Sequence, residues 1–178
     1  MPEDTIRVRA PQPSRASTRL ELTSTSIQEG GTIDMQFVFT GCGGKNTSPQ
    51  LAWRGAPSGT KSFAITCFDP DAPTGSGYWH WLVFDLPASL GSLGAGAGNS
   101  ATPGGGRTGY SDFGLNKYGG PCPPKGDDPH RYIFTVYALD VPKLEGAGEG
   151  TTGATLVFLM RGHVLAQGSL TARFGLRG

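Results

Sequence analysis

The chain has 178 residues and a formal net charge of +1, from 15 basic and 14 acidic side chains. That length suits one domain with a full hydrophobic core, and the near-neutral balance gives no general electrostatic grip on nucleic acid. Glycine (29) and proline (14) supply about a quarter of the residues, but they fall between apolar segments, which points to a mainly β domain with many turns.

In chain order, residues 1–17 are polar and proline-containing and are expected to be loosely ordered, with residues 18–178 forming a single domain. The first residues lack the apolar centre of a signal peptide, and no apolar run approaches the roughly 18–20 residues that cross a membrane. Cytoplasmic residence is therefore expected. Leu20–Ser24 is a short strand candidate. Ile33, Met35, Phe37 and Phe39 alternate with polar or smaller residues and predict a strand. Leu51–Trp53 is another short candidate, and Ser62–Phe68, apolar on both faces, reads as a central strand with Cys67 buried in it. Trp79–Leu86 and Arg131–Leu139 predict two more strands. Between them, Gly91–Gly106 reads as a long mobile loop, and Gly114–Pro129 as a second loop stiffened by Pro121, Pro123 and Pro124. Leu156, Leu159, Met160, His163 and Gln167 share one side at helical spacing, which predicts a late helix over Ala154–Gln167 with His163 as a hydrogen-bonded core residue. Leu170–Phe174 closes the chain as a short strand.

The chemistry concentrates at strand ends. Asp69-Pro70-Asp71 leaves the Ser62–Phe68 strand, where Pro70 fixes φ and pushes Asp69 toward an extended conformation. His80 lies in Trp79-His80-Trp81 and, by simple alternation, faces the side of Leu82, Phe84 and Leu86. His130 opens its strand directly after the proline-rich loop, a rim position. Taken singly, a histidine in a strand is more often a core residue, and a D-P-D segment is more often a surface turn closed by a side-chain-to-backbone bond. Together, a carboxylate beside imidazole raises the histidine pKa and orients the ring. With the hydroxyls of Tyr78, Tyr110 and Tyr132 and glycine-loop N–H groups, such a set favours a small anion such as phosphate or carboxylate. The same Asp and His residues also suit a divalent metal, but no H-x-x-x-H or H-E-x-x-H spacing is present, so no metal and no cofactor is expected.

Other signatures fail. Gly44-Lys45 lacks the upstream glycine of a phosphate-binding loop, and Ser111 follows a glycine loop with the wrong spacing for a nucleophile elbow. Gly94–Gly98 is low in complexity and is not a dinucleotide fingerprint. Asn46-Thr47-Ser48 matches a glycosylation sequon, which occurs often by chance. Cys42, Cys67 and Cys122 have neither CxxC nor metal-finger spacing, and their odd number fits free thiols in a reducing compartment. Cys122, flanked by prolines, reads as exposed and oxidisable, with no catalytic role.

These segments resemble the phosphatidylethanolamine-binding protein family, and within it the bacterial Raf kinase inhibitor-like branch. The likeness is carried by Ser48–Trp53, Lys61–Ile65, Asp69–Thr74, Tyr78–Val83, Tyr118–Pro121, Pro123–Gly126 and His130–Phe134. It implies a β-sandwich around a Greek-key central sheet, with an anion pocket at one end lined by Asp69, His80, Pro123 and His130. Asp71, Trp79 and Tyr132 are the implied neighbours. The tail Ser169–Gly178 is too short for the C-terminal helix that borders the pocket in animal members. The expected function is non-enzymatic binding of phosphate, a phosphorylated head group or a phosphorylated side chain, with a regulatory or inhibitory role toward a kinase or protease partner. A homodimer is compatible with the resemblance, but no interface is legible. The alternative is an Asp/His hydrolase acting on a phosphoester or amide. A third reading is a protein inhibitor acting through the Gly91–Gly106 segment.

Overall fold

The computed structural model describes residues 18–177; the loosely ordered segment expected at residues 1–17 lies outside them. The elements in chain order are β1 (Thr18–Arg19), β2 (Glu21–Thr23), β3 (Leu51–Arg54), β4 (Ser62–Asp69), β5 (Tyr78–Pro87), β6 (Ser92–Leu93), β7 (Arg107–Thr108), β8 (His130–Leu139), α1 (Gly153–Met160) and β9 (Val164–Phe174). A six-stranded sheet runs in the order β1-β9-β8-β4-β5-β7, and a three-stranded sheet in the order β2-β3-β6. Only the β1–β9 pair of the larger sheet is parallel. After β4, β5 and β7, the chain returns through a long connection to place β8 beside β4, which is Greek-key order.

Both faces of the large sheet are covered, which explains the uninterrupted apolar run of β4. One face packs on the small sheet: Phe63, Ile65, Cys67, Trp81, Val83, Tyr132, Phe134 and Val136 meet Leu20, Leu22, Leu51, Trp53 and Leu93. The opposite face, with Ala64, Phe68, Leu82, Phe84 and Tyr137, is covered by Leu156 and Met160 of α1 and by Leu144. All eight residues of β4 are buried as a result.

The outer edge of the large sheet is filled by backbone from earlier in the chain. Leu20 donates to the Gln167 carbonyl at 2.9 Å, Gly30 to Thr171 at 2.7 Å and Ile33 to Arg173 at 2.8 Å, while Arg173 donates to Gly31 at 2.8 Å. The Glu29 carboxylate accepts from the Thr171 N–H at 2.8 Å. Almost the whole exposed side of β9 is therefore met by residues 18–33.

Several sequence expectations are corrected. Ile33–Phe39 is no strand: Asp34 accepts from the Gln36 N–H and opens a 3-10 turn over Met35–Phe37, leaving Met35 43% exposed while Ile33 and Phe37 stay buried. The capping carboxylate outcompetes the alternation. The helix starts at Gly153 behind a Thr152 cap, one residue before the expected Ala154, but ends at Met160, seven residues early. Gly162 takes φ +84°, a left-handed stop, and the chain then enters strand β9 with Ala166, Gly168, Leu170, Ala172 and Phe174 facing inward. The helical spacing of His163 and Gln167 was a coincidence across that stop. His163 sits in the turn with its side chain 42% exposed, and its Nδ1 meets Asp140 at 2.8 Å, so it is no core residue. Gly91–Gly106 is no structureless loop: it holds β6 and 3-10 turns at Ala97–Asn99 and Pro103–Gly105.

Cys42 and Cys122, expected as free thiols, form a disulfide with Cα atoms 5.6 Å apart across 80 residues of sequence. Only Cys67 is free, and it is buried in the core between the sheets. Burial pushes its thiol well above the ordinary value, with the Asp69 charge adding to the effect.

Candidate functional site

The polar groups gather where β4 ends, β8 begins and β5 starts. Side chains alternate along a strand, so Asp69 falls on the same face as Cys67, and His130 on the same face as Tyr132. His80 reaches that face by a different route. Cys67 pairs with Trp81 and Phe68 with Trp79, so His80 is the extra residue of a β-bulge. The bulge overrides the alternation that placed His80 with Leu82 and Phe84. Its ring instead stands edge-on to Tyr132, with centroids 5.1 Å apart, and to Tyr78 and Phe113, each at 5.2 Å. Trp79 is carried to the other face, where its indole packs on Phe68 at 4.3 Å, so it is no neighbour of the two imidazoles there. Its backbone N–H does serve this end, donating to the Asp112 carboxylate at 2.7 Å.

Asp69 is 2% exposed and fully engaged. One oxygen accepts from the N–H groups of Asp71 and Ala72 at 2.8 and 3.1 Å, closing the turn, and the other meets Nδ1 of His130 at 2.8 Å. Closure of the D-P-D turn and the contact with His130 thus fall on one carboxylate. Nε2 of His130 meets the Asp127 carboxylate at 2.9 Å. With an acceptor on each nitrogen, the ring is held as a two-donor imidazolium. Burial acts to lower its pKa, but the hydrogen bonds and charges of Asp69 and Asp127 outweigh it and raise the pKa above the usual histidine value. His130 was expected at a rim; it is 3% exposed, covered by the turn that carries Asp127.

His80 is equally buried but has different partners. Its Nδ1 donates to the Gly119 carbonyl at 2.8 Å, while the Gly119 N–H donates back to the His80 carbonyl at 3.0 Å. Burial lowers its pKa, only partly offset by the carbonyls of Gly119 and Gly120 and the more distant Asp69 and Asp112. The ring is neutral, with Nε2 as its acceptor.

The loop that holds His80 is itself anchored on several sides. Gly120 donates to the Asn46 side chain at 2.7 Å, Asn46 donates to the Tyr118 carbonyl at 3.1 Å, and the Tyr118 hydroxyl donates to the Phe37 carbonyl at 2.8 Å. A Cβ at Gly120 would lie 2.1 Å from the Phe37 carbonyl oxygen, so only glycine fits this crossing. The disulfide from Cys42 to Cys122 ties down the next residues, and Pro123 is buried beside it. Because Asn46 spends both ends of its amide on this loop, the sequon is part of the scaffold.

Asp71 faces outward. It accepts from the backbone N–H, Nε and Nη2 of Arg131 at 2.9, 3.0 and 2.8 Å, and Arg131 holds its carboxyl below the usual value. It clasps the D-P-D turn to the start of β8. Tyr132 is 1% exposed, and burial together with Asp69 pushes its hydroxyl far up. Among the described residues, no group of three or more His, Cys, Asp or Glu side chains is placed to hold a metal ion. The sequence reading missed Asp127, Phe113 and the Gly119 carbonyl. Asp127 alone left a trace, lying three residues before His130 in a glycine-proline turn.

The family model described as phosphatidylethanolamine-binding protein matches residues 23–175. The chain belongs to the phosphatidylethanolamine-binding protein family. The Escherichia coli family relative UPF0098 protein YbhB is 48% identical over 159 residues, covering 87% of this chain and 99% of that one. The crystal structure of E. coli YbcL, described as a new member of the mammalian PEBP family, has a TM-score of 0.85 at 41% identity, covering 90% of this chain and all of that one. A phosphatidylethanolamine-binding protein homolog from Chlamydia trachomatis, CT736, gives a TM-score of 0.75 at 32% identity over 88% of this chain and 97% of that one.

Proposed function

We propose that this family member is a non-enzymatic receptor for a small oxyanion, bound at the end of the large sheet where His80 and His130 flank Tyr132. The observation that carries the reading is the setting of His130: a buried imidazole with a carboxylate on each nitrogen, whose Nε2 already holds an oxyanion, the carboxylate of Asp127. Phosphate, a phosphorylated head group and a phosphorylated side chain all present the same acceptor oxygens. Nε2 of His80, neutral and an acceptor, suits a protonated hydroxyl on such a group.

Binding is favoured over turnover by the same contacts. Both nitrogens of His130 are occupied by carboxylates, and Nδ1 of His80 is tied to a carbonyl. The one free thiol, Cys67, is buried and pushed away from the reactive thiolate. An Asp/His hydrolase needs one imidazole that both pairs with a carboxylate and keeps a nitrogen free to take a proton. His130 has the carboxylates but no free nitrogen, and His80 has a free Nε2 but a carbonyl, not a carboxylate, on Nδ1. In this reading, ligand occupancy alters binding to a protein partner, with a kinase or protease as the class suggested by the family resemblance.

No helix among the described residues is long and apolar enough to cross a membrane. The Cys42–Cys122 bridge supports work in an oxidising compartment over the cytoplasmic residence expected from the N-terminus, because the cytosol keeps such pairs reduced.

The test is an NMR titration of the histidine rings with inorganic phosphate and with phosphoethanolamine, between about pH 5 and 8. Saturable shifts at both rings, lost in His80→Ala and His130→Ala, are expected. Silence at both rings would overturn the reading. Stronger binding of phosphoethanolamine than of phosphate would identify a head group as the source of the anion.

A further inference from the structure

We infer that Asp127 is a specificity-determining residue of this site: its carboxylate occupies the ligand position on Nε2 of His130, and an incoming anion binds by displacing it. The inference rests on the anion-site reading above and adds a competitor built into the chain.

The two carboxylates on His130 differ in how firmly they are held. The side chain of Asp69 is 3% exposed, and its second oxygen is fixed by two backbone N–H groups. That of Asp127 is 40% exposed, and its one side-chain hydrogen bond among the described residues is the 2.9 Å contact with Nε2. It rides on a short turn next to Gly126, which takes φ +87°, and its own backbone N–H reaches the Pro124 carbonyl only at 3.4 Å. A partly solvated carboxylate on such a turn exchanges its partner for water at small cost, whereas removing Asp69 would strand a buried charge. Ligand and Asp127 therefore compete for one N–H.

The charges nearby make that competition matter. Asp69, Asp71, Asp112 and Asp127 surround a site whose cations are His130 and Arg131, and Arg131 is already clasped by Asp71. An anion arriving with Asp127 still in place meets an excess of negative charge. Asp127 thus discriminates against weak, singly charged anions and admits those able to outcompete a carboxylate, with the dianionic phosphate group as the chemical class that does so best.

The test is calorimetric titration of inorganic phosphate into the full chain and into Asp127→Asn, Asp127→Ala and Asp128→Asn. Asparagine keeps the turn and an acceptor oxygen but removes the charge; Asp128 is the exposed neighbour. Asp127→Asn is expected to bind phosphate roughly tenfold more tightly, equivalent to about 1.4 kcal/mol, with Asp127→Ala at least as tight. Asp128→Asn should stay within about twofold of the parent, as for a screened surface charge. In the parent protein, the Asp127 backbone amide should shift with phosphate while that of Asp71 does not. Tightening confined to the two Asp127 variants supports the inference, including when the parent itself binds too weakly to measure. Equal or weaker binding by those variants, with the parent still binding, overturns it and leaves the anion site standing. Absence of binding in all four proteins overturns the anion site and the inference with it.

Discussion

His130 and His80 are equally buried, each 3% exposed, yet their surroundings push them in opposite directions. Around His130 the chain places two carboxylates, one from the end of β4 and one from the turn before β8. Around His80 it places aromatic rings and a backbone carbonyl. Burial disfavours the charged form in both cases; the carboxylates hydrogen-bonded to His130 outweigh it, whereas the carbonyls and more distant carboxylates around His80 do not. One sheet end therefore carries one histidine whose pKa is raised and another whose pKa is lowered.

The comparison breaks most severely at Asp69. Asp69→Ala leaves His130 without its buried partner and is expected to cost about 3–5 kcal/mol in urea unfolding, with the His130 pKa dropping toward or below that of His80. A loss under about 1 kcal/mol would show that the pair is not what holds this end together. The His80 side is tested next through its anchor. Reducing the Cys42–Cys122 bridge, or replacing both cysteines by serine, should cost about 2–5 kcal/mol and disturb the His80 ring resonances more than those of His130. Thiol titration of the denatured protein should find a single reactive group, Cys67.

A smaller effect appears in the pH dependence. The raised pKa of His130 means that the folded protein holds its proton more tightly than the unfolded chain. The stabilisation is full below the unfolded value of about 6.5 and is lost as pH rises through the folded pKa. The lowered pKa of His80 has the opposite sign: its folded form resists protonation, so stability falls as pH drops from about 6.5 toward the folded value. Stability should peak near that pH, each flank no steeper than about 1.4 kcal/mol per pH unit for one histidine. His80→Gln should remove the acid flank alone. Stability rising steadily across the range would contradict the buried cation. Smallest of all, Arg131→Ala opens the exposed clasp on Asp71 and should cost about 0.5–1 kcal/mol.

Much of this was legible in the sequence. The apolar runs of β4, β5 and β8 are long and bounded by turn residues, so their existence could be read directly, while the gathering of Asp69, His80 and His130 was only a condition the residues allowed and the family resemblance implied. What was hidden depended on contacts far apart in the chain. The facing of His80 is set by a bulge, and a bulge is decided by pairing with β4, not by the residues of β5. The disulfide joins cysteines 80 residues apart with no spacing signature. The end of the helix turned on Gly162, where a left-handed residue overrode a helical spacing that ran on by chance. The 3-10 turn over Met35–Phe37 shows the same competition, with Asp34 supplying the winning local bond.

The backbone strip formed by residues 18–33 along β9 bears on how this protein survives at high concentration. Stripped of that cover, β9 would present a row of unmatched amide and carbonyl groups from every second of its 11 residues, an open template for a strand from another molecule. Cover supplied by the same chain, in parallel at β1 and through scattered bonds from Gly30 to Ile33, satisfies the row without extending it into a further regular strand. The segment thus works as a stopper against edge-to-edge fibre growth. Shortening the protein from its N-terminal side past Leu20 should begin to show in light scattering before it shows in ligand affinity.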